Sequence, residues 1–160
     1  MRVCGHGLRD HVRLLMAPIG LITVVWALRW GLDEAGFSHA LVRAFSVTGA
    51  TSLAVLIAVW LIHARGFGSY PNVVVASLLL VVYGQLVIVI AIVYSVLTKT
   101  ENVFTAPEFS IPAPDPHHLR HIVGHLTFGI GAGMLFGAAT GCLLLWLLRT
   151  LAPRNREAAR

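Results

Sequence analysis

HHLRHIVGHLTFGIGAGMLFGAATG, residues 117–141, carries one spacing through two chemistries. His117, His121 and His125 recur at every fourth position, and Gly129, Gly133, Gly137 and Gly141 continue the row. At 3.6 residues per turn, positions four apart stay close on one helical face. The same face therefore bears imidazoles at its start and bare backbone further on. The glycines make three overlapping GxxxG units, which allow a second helix to approach at backbone distance. Such contact matters most in lipid, where hydrocarbon tails remove the hydrophobic drive for helices to associate. The stretch reads as a membrane helix.

The rest of the chain agrees. Of its 160 residues, 57% are hydrophobic and 12% charged, and mean hydropathy is +0.79. That leaves too little polar surface for a soluble domain. A bilayer core of ~30 Å needs about 20 apolar residues per helix. Four segments supply them, at 14–30, 47–62, 73–97 and 122–148. The expected fold is an all-α integral membrane protein, a four-transmembrane-helix bundle forming one domain over 1–160. The first segment has a basic, signal-like start at Arg2, Arg9 and Arg13, but no small-residue cleavage site follows, so it reads as an uncleaved helix containing Pro18. Cys4 and Cys142 do not form a disulfide framework.

The charges orient the bundle. Arg2, Arg9, Arg13, Arg65, Arg149, Arg154, Arg156 and Arg160 fall on one side, against Arg29, Arg43, Lys99 and Arg120 on the other. The positive-inside rule then places both termini and the 63–72 loop in the cytoplasm of a multi-pass plasma (inner) membrane protein. Nucleic acid is not an expected partner, because the arginines cap apolar runs and form no basic patch with interleaved aromatics. The long outer loop 98–116 holds Pro107, Pro112, Pro114 and Pro116, which favour an extended polyproline path. Asp115 as N-cap and Pro116 at the first helical position start the last helix there. His117, His118 and His121 then project beyond the apolar core, with His125 at its interface.

The second segment carries another small-residue row, Ser46, Ala50, Ala54 and Ala58. Both rows run from outside to inside, so they can dock in parallel within one chain, or the glycine row can form a homo-oligomer seam. His117, His118, His121 and His125 fall within one arc of the helical wheel, and i,i+4 imidazoles suit a shared transition metal, with Glu108, Asp115 and His39 on the same side. A membrane-interface role and a pH-responsive cluster are the competing readings. Haem is disfavoured, since only His11 and His63 could form an axial pair on the inner side. Thr127, Gly129 and Gly131 echo a potassium filter, yet too few residues follow for a filter and a further span.

No acid lies within an apolar segment, which argues against a proton-coupled transporter. Gln85, with Tyr83 nearby, and the threonines Thr23, Thr48 and Thr51 are the main intramembrane polar points; Gln85 reads as interhelical glue. No nucleophile has a base and an acid at one depth, so no enzyme is expected. The expected function is a small membrane protein acting through helix packing, as a homo-oligomer or an accessory subunit. Its partners would be the lipid bilayer and either itself or another membrane protein. The alternative is a channel or carrier whose outer histidine cluster binds a transition metal or senses pH.

Overall fold

The computed structural model describes residues 2–105, 115 and 117–152. Two short strands, β1 (Arg2–Val3) and β2 (His6–Gly7), pair antiparallel as a small clasp. The helices follow: α1 (Leu8–Glu34), α2 (His39–Ala44), α3 (Val47–Arg65), α4 (Tyr70–Thr98), α5 (Leu119–Gly124) and α6 (Ile130–Leu151). A π turn over His125–Gly129 joins α5 to α6, so Leu119–Leu151 runs as one 33-residue helix. Four helical stretches are long and apolar enough to cross a membrane: Leu8–Glu34, His39–Arg65, Tyr70–Thr98 and Leu119–Leu151. The all-α four-helix architecture is the one the apolar runs imply. The helices outrun those segments because polar terminal turns need water or partners, not lipid.

Local chemistry sets several of the boundaries. Asp10 accepts the Gly7 N–H at 2.8 Å where α1 begins, and Pro71 occupies the first turn of α4. Ser46 caps α3, its hydroxyl accepting the Gly49 N–H at 3.1 Å. Its role is thus at a helix end, outside the small-residue row in which the sequence placed it.

The N-terminal clasp and the last turn of α6 both meet the turn between α3 and α4. His6 stacks on Phe67 with ring centroids 3.8 Å apart, and Arg149 donates to the Gly68 carbonyl at 3.0 Å. Gly68 has φ +97°, and a Cβ there would overlap the Asn72 side chain. At the opposite end Trp30 packs edge-on against Trp26 and Tyr94, both at 5.2 Å. Residues 102–105 are not the open loop expected of 98–116. Asn102 donates to the Ala91 carbonyl of α4 at 2.9 Å, Val103 and Phe104 are buried, and the Phe104 ring meets Trp30 and Arg29 of α1. Pro107, Pro112, Pro114, Pro116 and Glu108, like Arg154, Arg156 and Arg160, lie outside the described residues.

The glycine row meets a different partner from the one expected. Gly129, Gly133, Gly137 and Gly141 lie against Gln85, Val81, Ser77 and Val73 of α4, one antiparallel register kept over four contacts. A Cβ on Gly133 would sit 2.9 Å from Val81 Cγ1, and one on Gly141 would sit 2.8 Å from Val73 Cγ1. Side chains of α4 therefore fill hollows that the glycines leave. From α3, Val55 and Val59 reach Gly137 and Gly141. Ala50, Ala54 and Ala58 are buried, but they are not the side chains seated on the row.

Candidate functional site

Gln85 sits mid-way along α4 among valines and leucines, where an unbonded amide is costly to bury. Its side-chain oxygen accepts a 2.6 Å hydrogen bond from His125 Nδ1. That bond fixes the proton on Nδ1 and leaves His125 Nε2 as an acceptor. The neighbouring His121 Nε2, 3.1 Å away, is then the donor. The chain ends at His121 Nδ1, which is buried and has no partner among the described residues. A glutamine in the middle of one helix thus anchors two imidazoles of another.

Backbone geometry makes this contact possible. The π turn spans the segment from His125 to Gly129, both of which face Gln85. Such turns locally re-aim side chains without breaking a helix. A Cβ on Gly129 would lie 2.7 Å from Gln85 Oε1, so any other residue there would have to displace the amide. The first glycine of the row consequently serves the polar contact, and the other three serve packing.

Asp115 organises the start of the same helix. Its carboxylate accepts the N–H groups of Leu119, Arg120 and His121 at 3.0, 2.9 and 3.2 Å. The helix begins at Leu119, later than the sequence reading placed it, with His118 in the left-handed region at φ 50°. The four-histidine arc therefore divides. His121 and His125 are hydrogen-bonded together, His118 lies beside His121 with centroids 6.4 Å apart, and His117 is exposed. Among the described residues, no group of three or more His, Cys, Asp or Glu side chains is placed to hold a metal ion.

Other candidates are drawn apart. Tyr83 bonds Thr23 of α1 at 2.6 Å, so it faces a different helix from Gln85. His11 bonds Gly7 O and Asn72 Oδ1, whereas His63 bonds the Ala152 carbonyl. The filter-like Thr127 is helical and donates to the Val123 carbonyl at 2.7 Å.

On the terminal side of Gln85 a groove of about 440 Å³ opens between α3, α4 and α6. Its walls are mainly apolar, with polar groups at Thr48, Thr51, Ser52, Gln85 and Thr140 and the ring of Phe136 at its edge. Size and composition fit a small-molecule site, where a few polar groups orient a largely apolar ligand. Gln85 belongs to both features, bonded to His125 on one side and lining the groove on the other. Ser52 and Thr140 did not stand out in the sequence, because single hydroxyls in apolar helices are ordinary. Their signal is spacing: Thr48 and Ser52 lie one turn apart on a single face of α3. No family model matches this chain, and neither the curated proteins nor the solved structures yield a match.

Proposed function

We propose that this chain is a multi-pass plasma-membrane protein that binds a lipid-soluble small molecule in the groove between α3, α4 and α6. The observation carrying the reading is the union of Gln85 with His125 at 2.6 Å on the rim of a groove of about 440 Å³. Polar side chains within apolar spans are costly and concentrate where they meet one another or a ligand. The arginine distribution puts the termini in the cytoplasm, and the groove then lies near mid-bilayer, on the cytoplasmic side of Gln85. Within the chain the glycine row already packs on α4, with α3 reaching its last two glycines, so an oligomer or a complex with another membrane protein would use other surfaces as well.

Ala132 is exposed on the groove wall, so Ala132→Phe fills the space without entering the core. Organic extracts of purified wild-type protein, read by mass spectrometry, should contain a molecule depleted at least tenfold in Ala132→Phe. Equal recovery from both, with both proteins folded, removes the binding role.

A further inference from the structure

His121 and His125 stand one turn apart, and their rings approach most closely at the nitrogens. The two Nε2 atoms are 3.1 Å apart, whereas the ring centroids are 4.9 Å apart. A metal ion bonded to two imidazoles at ~2.0–2.1 Å sets their nitrogens about 2.8–3.4 Å apart when the angle between the bonds lies between square and tetrahedral. The observed separation falls inside that range, so an ion can be seated between the rings with little movement of either. A linear pair of bonds would need about 4 Å, which excludes a two-coordinate ion.

We propose that His121 Nε2 and His125 Nε2 form a site for a divalent transition-metal ion of the zinc or copper type, with its remaining positions open to water or a further ligand. Coordination takes neutral imidazoles with a bare nitrogen. His125 already offers one, since its Nδ1 proton is held by Gln85 Oε1 at 2.6 Å, the kind of outer hydrogen bond that fixes a metal-bound ring. In His121 the proton must move from Nε2 to Nδ1, the buried atom that has no partner among the described residues. Only the bond between the rings is then given up, and two bonds to the ion replace it. Asp115, whose carboxylate accepts the His121 N–H at 3.2 Å, puts negative charge at the same helix end. The site stands apart from the groove, on the other side of Gln85.

The chain has eight histidines, so stoichiometry alone does not place the ion. Electron paramagnetic resonance of Cu2+ on the full wild-type chain, in nanodiscs of neutral lipid, should show at least two directly bonded imidazole nitrogens, and Zn2+ should displace the signal. Zn2+ binding, by equilibrium dialysis with empty nanodiscs subtracted, should saturate at one ion per chain. It should weaken at least about tenfold in His121→Asn and in His125→Asn. His117→Ala, which removes an exposed imidazole from the same arc, and Ala132→Phe, which fills the groove, should bind as wild type. Copper with fewer than two imidazole nitrogens, Zn2+ affinity unchanged in both asparagine variants, or an equal loss in His117→Ala or Ala132→Phe would overturn the site.

Discussion

Gly131 and Gly133 are two residues apart in one helix and have opposite surroundings. Nothing lies within 4 Å of a Cβ on Gly131, whereas one on Gly133 meets Val81 at 2.9 Å. Gly131→Ala should leave thermal unfolding in detergent within about 0.5 kcal/mol of wild type, as exposed sites do. Gly133→Leu should destabilise by about 1–3 kcal/mol through overpacking. Equal effects would remove the α4 contact. The Gln85–His125 bond allows a finer test at the same scale. Gln85→Leu leaves an imidazole donor unpaired and should cost about 1–3 kcal/mol. If the bond is the cause, Gln85→Leu with His125→Leu should cost less than the sum of the single changes, giving a coupling of at least about 0.5 kcal/mol.

At the scale of elements, the long last helix depends on a cap outside its regular turns. Asp115 holds three consecutive N–H groups that no helical carbonyl reaches. Asp115→Ala should therefore speed hydrogen exchange at Leu119, Arg120 and His121 and leave Gly137 and Gly141 unaffected. Uniformly faster exchange would mean that the carboxylate supports the whole bundle. Helices of this kind were legible because four apolar runs of near-bilayer length have few alternatives. The glycine row was legible too, but its partner was not. Val73, Ser77, Val81 and Gln85 recur every four residues in a helix apolar on all sides, so no face of α4 stood out. Complementarity here joins small to large, whereas the sequence offered small to small. Gln85 and His125 were each visible as polar residues, yet 40 positions separate them, and only the antiparallel register brings them together.

For the whole molecule, orientation is the first matter to test, and the chain holds its own probe. Cys4 is exposed beside Ser69, and Cys142 is half-buried in α6. A membrane-impermeant maleimide should label Cys4 in inverted vesicles and not in intact cells; labelling from the outside would reverse the proposed topology. The register between α4 and α6 has a further bearing, on biogenesis. Either helix entering a bilayer alone would expose Gln85 or the two imidazoles to hydrocarbon, at a cost of several kcal/mol. Entering as a hairpin, each conceals the polar groups of the other. The glycine register then acts as an assembly instruction, making the second half of the chain a unit of insertion before it is a wall of the groove.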